Sequence, residues 1–191
     1  MDRKEEIYEK ALKLFIEGGY DHTPMSRIAN EVGLSKAGLY HYFPSKKHLL
    51  FLIHEHYLKT VFIPILDKAE KISDPEKRIV YFLKNYTNLM TEDDKARVLV
   101  HEGNSMEPEH YKKVLRIWKR SLDLIRGAIS EIEISGKSKK LNKTFAAFAA
   151  IGMCSWTVYW FDYSRKEHSK ELSETFAEIF LKGFLKDGEK L

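Results

Sequence analysis

Apolar residues recur along this chain at three- and four-residue intervals, while alternating apolar–polar runs are scarce, so the pattern predicts helices. Ile7, Ala11, Leu14 and Phe15 form the inner stripe of a first helix that ends at Gly18-Gly19. Thr23 is placed to cap a second helix with Pro24 in its first turn and Ile28, Ala29 and Val32 on its apolar side. Gly33 supplies a positive-φ stop, Leu34 plugs the corner, and Ser35 caps a third helix in which Leu39 and Phe43 face inward. Pro44 ends it, and Ser45 opens a fourth helix running toward Pro64, where a kink or break is expected. Ser73-Asp74-Pro75-Glu76 reads as a capping box for a fifth helix through about Met90. A sixth, of about ten residues, runs to His101 before the break at Gly103-Asn104-Ser105. The seventh spans about Glu107 to Ile134, the eighth about Leu141 to Tyr163 and the ninth about Ser169 to Lys186. The expected fold is therefore all-α, with nine helices in chain order.

The second and third helices with their glycine corner have the form of a helix-turn-helix. Outward on the third lie Lys36, Ala37, Gly38, Tyr40, His41 and Tyr42. Ala37 and Gly38 are small enough to let the backbone near Ser35 approach a duplex, while the cation, imidazole and two phenols can bond phosphates or base edges. Lys46, in the first turn of the fourth helix, and Thr23 are expected to grip phosphates on either side. A helical hairpin that only packs has no need of that exposed set.

Net charge sharpens this picture because it is local. The chain carries only +4 overall, yet Arg27, Lys36, Lys46 and Lys47 face Glu31 alone between positions 27 and 47. With 43% hydrophobic and 31% charged residues the composition is that of a globular protein. One cysteine, Cys154, cannot form an internal disulfide, and Asp2 onward is charged, which together point to a cytoplasmic protein. Polar interruptions argue against any membrane span.

The segments Gly18-Gly19-Tyr20, Thr23 through Ile28-Ala29, Val32-Gly33-Leu34-Ser35, Leu39-Tyr40-His41-Tyr42-Phe43 and Ser45-Lys46-Lys47-His48-Leu49-Leu50 resemble the N-terminal domain of TetR-family transcriptional regulators. The remainder resembles that family in length and helical layout, and Trp156-Thr157-Val158-Tyr159-Trp160-Phe161 is similar to its acyl-CoA-responsive subgroup. The resemblance implies a homodimer that binds double-stranded operator DNA through the positions named above and answers to a small-molecule effector. It also implies three short helices in a DNA-binding domain of residues 1–47 followed by six longer ones in residues 48–191, the larger part serving ligand binding and dimerisation.

A dimer is expected on physical grounds too, because one recognition helix reads too few base pairs to find a site in a genome. Phe148, Gly152, Ser155 and Tyr159 lie along one side of the eighth helix, and Phe176, Ile179, Phe180, Gly183 and Phe184 along the ninth. An effector pocket is expected among large apolar side chains of the fifth, seventh and eighth helices: Phe82, Tyr86, Met90, Trp118, Leu122, Met153, Trp156 and Trp160. His101, Asn104 and Arg120 are candidate polar anchors, and Lys112, Lys113, Arg116, Lys119 and Arg120 give the seventh helix a basic side suited to a CoA moiety. The expected function is a repressor released from its operator by a hydrophobic ligand such as a fatty acyl-CoA. A sensor of bulky aromatic or cationic drugs is the alternative ligand class, and a helical interaction module without DNA binding the alternative of another kind.

Catalysis is not indicated. His54-Glu55-His56 points its two imidazoles to different sides of a helix, and His101-Glu102 with His110 lacks one-turn spacing, so no metal site is expected. There is no glycine-rich phosphate loop and no nucleophile elbow, and no cofactor is called for.

Overall fold

The structure, a computed structural model, describes residues 2–184. Its helices are α1 (Arg3–Gly18), α2 (Met25–Glu31), α3 (Lys36–Tyr42), α4 (Lys46–Tyr57), α5 (Ile63–Glu70), α6 (Pro75–Glu92), α7 (Asp94–His101), α8 (Pro108–Ile134), α9 (Lys143–Trp156) and α10 (Ser169–Phe184). The fold is all-α. Among the described residues nine α-helices are recovered when α4 and α5 are counted as one, since only a π-helical turn, Leu58–Phe62, separates them.

That turn sits where the proline was expected to disturb the helix. Pro64 has no N–H to offer, and its ring crowds the carbonyl of Thr60, so the turn ahead of it widens. The Thr60 hydroxyl donates to the His56 carbonyl, 2.9 Å away. The continuous stretch Lys46–Glu70 is long and apolar enough to cross a membrane, with a mean hydropathy of 1.4 over its most apolar window. This corrects the expectation that no segment reaches that length. Its apolar side chains nevertheless have protein around them: Leu49, Leu50, Ile53, Leu58, Phe62 and Leu66 are all buried.

By backbone proximity the chain forms two compact units, Met1–Thr60 with Asp94–Leu115, and Val61–Asp93 with Arg116–Leu191. The expected boundary at residues 47 and 48 falls within the first unit, in the opening turn of α4. In that unit α1 packs on α2, α4 and α7, and the core is Ile7, Ala11, Phe15, Ile28, Leu39, Phe43 and Leu49. Lys95 ties α7 to Glu9 of α1 at 2.6 Å.

In the second unit α6 is the centre, packed by α5, α9 and α10. Asp74, rather than Ser73, is its N-cap, accepting from the N–H groups of Glu76 and Lys77. Ala146, Ala147 and Ala150 give α9 a thin buried side. Thr87 then donates to Cys154 Sγ at 3.1 Å, and burial pushes that thiol up to about 12, so it stays protonated and unreactive. Arg78 of α6 clasps Glu131 of α8 at 2.6 Å. α9 stops at Trp156, seven residues short of the expected end, because the chain tightens into a 3-10 turn at Thr157–Tyr159 and then leaves helical geometry.

Candidate nucleic-acid interface

Local chemistry builds the corner between α2 and α3. Gly33 takes φ 67°, the left-handed region that glycine enters without strain. Its N–H donates to the Asn30 carbonyl and that of Leu34 to the Ala29 carbonyl, a Schellman arrangement that satisfies two of α2's last carbonyls. Arg3 adds a 2.6 Å bond to the Val32 carbonyl, pinning the corner to α1. Ser35 caps α3, its Oγ accepting from the Gly38 N–H at 3.0 Å. A Cβ on Gly38 would lie 3.2 Å from that same Oγ, so the cap itself, besides any approaching duplex, favours glycine here.

Of the seven residues of α3 only Leu39 is buried. Lys36, Ala37, His41 and Ser35 are exposed, and Tyr40 and Tyr42 are 41% and 40% exposed. The phenols therefore reach solvent while their rings lean on neighbours; Tyr42 packs at 6.1 Å from Phe43 and 6.0 Å from His41. α3 has no acidic residue. Arg27 of α2 is a further exposed cation close by in sequence.

Two expected phosphate grips are placed differently. Thr23 is fully buried, and its hydroxyl donates to the carbonyls of Gly19 and Leu14. It neither caps α2, whose N-cap is Pro24, nor meets solvent; it fastens the α1–α2 loop. Lys46 extends its ammonium back to the carbonyls of Tyr20 (2.8 Å) and Asp21 (3.3 Å), over the Tyr20 ring. Burial and the nearby carboxylates of Glu102, Asp21 and Glu107 push the Tyr20 phenol up to about 12.

The residues expected to line a pocket separate into three groups. Phe82, Tyr86 and Trp118 come together with Phe62, centroids 4.6–6.5 Å apart, as a ring-packed cluster within the second unit. Met90 is buried, and Leu122 and Met153 are half-buried. Trp156 and Trp160 are corrections, being 62% and 56% exposed: Trp156 closes α9 on its outer side, and α9 ends before it can carry Trp160 inward. His101 is exposed and belongs to the first unit, while the side chain of Asn104 lies outside the described residues. Arg120 is committed to Glu70 (2.6 Å) and Asp67 (2.5 Å) and is no open anchor. Phe62 is the member that periodicity missed. A concavity of about 460 Å³ does open in this unit, but between α8 and the start of α9, lined by Asp123, Arg126, Ser130 and Asn142 among others.

Of the residues expected at a dimer surface, Phe148, Tyr159 and Ile179 are more than half exposed, and Gly152 and Gly183 are exposed. Phe176 is half-buried, as is Ser155, whose Oγ pairs with the Tyr86 hydroxyl at 2.8 Å. Phe180, 8% exposed, fills its own subunit's core instead, and the side chain of Phe184 lies outside the described residues. Phe145, 68% exposed, was not anticipated.

A capped helix held bare of acid at the edge of a helical unit, behind a Schellman corner, defines a helix-turn-helix DNA-binding protein. The family model "Bacterial regulatory proteins, tetR family" matches residues 7–53, and "Tetracyclin repressor-like, C-terminal domain" matches residues 73–184. The chain belongs to the TetR family of bacterial transcriptional regulators, and it is a regulator rather than an enzyme. It is 25% identical over 182 residues to the fatty acid metabolism regulator protein of Bacillus subtilis (strain 168), covering 93% of each. It is 35% identical over 109 residues to the uncharacterized HTH-type transcriptional regulator YuxN of the same organism, over 54% of this chain but only 36% of that protein. AibR, solved with isovaleryl coenzyme A and operator DNA, shares the fold at a TM-score of 0.84 and 24% identity, over 93% of this chain and 97% of its own.

Proposed function

We propose that this regulator is a homodimeric repressor that leaves its operator when a hydrophobic acyl thioester binds the larger unit. The observation that carries the DNA half is the exposed, acid-free outer side of α3, where Lys36, Tyr40, His41 and Tyr42 are free to meet a duplex. For dimerisation the support is the apolar surface left uncovered on α9 and α10: Phe145, Phe148 and Ile179 are each more than half exposed. The ligand class is supported by the relatedness to a fatty acid metabolism regulator across almost the whole chain, and by the flexible and aromatic side chains of α6, α8 and α9. A guest would enter by opening the Phe62–Phe82–Tyr86–Trp118 cluster. That rearrangement is the differential contact needed to favour one state over another.

A gel-shift with the DNA upstream of the protein's own coding region tests this, with stearoyl-CoA, isovaleryl-CoA, free CoA and a cationic aromatic dye as competitors. The expected result is a shifted band lost on adding an acyl-CoA and retained with free CoA, the affinity falling roughly 5- to 150-fold. A band released by the dye and indifferent to acyl-CoA would move the assignment to drug sensing. A chain sedimenting as a monomer at micromolar concentration would end the dimer proposal.

A further inference from the structure

Within the first unit, the start of α4 and the start of α8 meet around one ring, Phe51, and the groups surrounding it are bases. The His110 imidazole stacks on Phe51 with centroids 4.1 Å apart and planes 8° from parallel. His48, from the first turn of α4, lies 5.3 Å from His110 and 6.3 Å from Phe51. Lys113 places its ammonium 5.4 Å from the same ring. The Nδ1 of His110 is buried without a hydrogen-bond partner.

Among the described residues, no carboxylate is paired with either imidazole. The first turn of α4 holds Lys46 and Lys47 and no acid. On the facing segment, Glu107 is paired with Lys47 at 3.4 Å and Glu109 with Lys112 at 2.9 Å. Tyr111 is half-buried on α8, and Glu102, ahead of it, accepts from the Ser105 hydroxyl. His48 also occupies the positive end of a helix, its own N–H donating to the Ser45 cap, where added positive charge is disfavoured. Burial first, then the charges of His110 and Lys113, hold its imidazole below the ordinary histidine range.

We propose that His48, packed against His110, is an acid-sensitive latch in the DNA-binding unit: neutral, it holds α8 on α4; protonated, it lets them part and the operator is released. The link to DNA is short. Phe43, Pro44 and Ser45 alone join α3 to α4, and Phe43 is fully buried, so moving the first turn of α4 displaces the recognition helix.

Two measurements on the intact chain test the latch. In an NMR titration of the imidazoles, His48 takes up its proton below pH 6.5 in the wild type and moves upward in His110→Gln and in Lys113→Ala. In fluorescence anisotropy with a labelled duplex of the DNA upstream of the coding region, at fixed ionic strength, wild-type affinity falls below that point by up to about tenfold per pH unit for one linked proton. His48→Gln, of similar size but unable to charge, removes the fall. The other histidines of the unit, His22, His41, His54, His56 and His101, remain in all proteins, so the difference reports the pair. A His48 titration unmoved by His110→Gln, or one pH profile shared by wild type and His48→Gln, overturns the latch. The latch rests on the DNA-binding reading for its affinity readout only. A chain that binds no duplex at pH 7.5 fails that reading, while the titration still decides the latch, even should His48→Gln fold poorly.

Discussion

Aromatic side chains meet opposite fates in the two units. On α3, Tyr40 and Tyr42 stay about two-fifths exposed, whereas Phe62, Phe82 and Tyr86 are sealed ring against ring. The side chains differ little in size; what differs is what stands opposite. α3 is two turns long and spends a single residue, Leu39, on the core, so everything else on it is surplus to packing and free to recognise. α6 is an eighteen-residue helix surrounded by α5, α9 and α10, and its rings have neighbours on several sides. Exposed rings with polar tips are recognition chemistry, and enclosed ones are stability that a guest would have to disturb.

The largest expected contrast sets the two regions directly against each other. Phe62→Ala should cost ~3–5 kcal/mol in urea denaturation by opening a cavity among three rings. Tyr40→Ala should stay within about 0.5 kcal/mol of wild type yet weaken binding to the upstream duplex. Equal losses of stability from the two would erase the distinction.

Acid should strike next through His54 of α4. It is 3% exposed with an unpartnered Nδ1, and burial lowers its pKa to about 4. The unfolded chain protonates it near 6.5 and the folded chain only near 4. Its contribution is thus complete above pH 6.5, shrinks as pH falls, and has lost roughly 3 kcal/mol by pH 4. Thermal unfolding of His54→Leu should show a flatter acid limb over that window; an unchanged limb would place the proton elsewhere.

Ser35→Ala should cost about 1 kcal/mol, because the Gly38 N–H loses its acceptor at an exposed helix start. It should also fray the helix that carries the residues proposed to meet DNA. The smallest effect is the sharpest test of Lys46. If its ammonium turns from the Tyr20 carbonyl to a phosphate on binding, Lys46→Ala should reduce the salt slope of duplex affinity by about 0.9. An identical slope would leave Lys46 as a fastener of the α1–α2 loop.

Much of this architecture could be read before any coordinates. Ser35 and Ser45 cap the helices expected of them, Gly33 carries the positive φ, and the inward stripes of α1 to α3 are buried as spaced. These are local rules, in which a residue's role follows from neighbours within one turn. Thr23 misled because a hydroxyl one residue before a proline looks like a cap, while the carbonyls it serves belong to Gly19 and Leu14. Phe62 escaped notice because the π-helical turn shifts the phase of the helix, so a 3.6-residue count beyond Tyr57 points to the wrong side. Trp160 was drawn into a pocket by extending a helix through Thr157, where the backbone tightens instead, while Trp156 sits in α9 as expected but on its exposed side.

Helix ends, the corner glycine and the polar outer side of α3 were thus written in the order of residues, since capping, left-handed backbone and amphipathic period act over a few bonds. Which rings enclose one another, which cations are already held by carboxylates, and which phenylalanines stay bare depended on distant segments meeting. Arg120 shows the reason: it looks like an anchor on its own helix, and only α5, some fifty residues away in the chain, brings Asp67 and Glu70 to neutralise it.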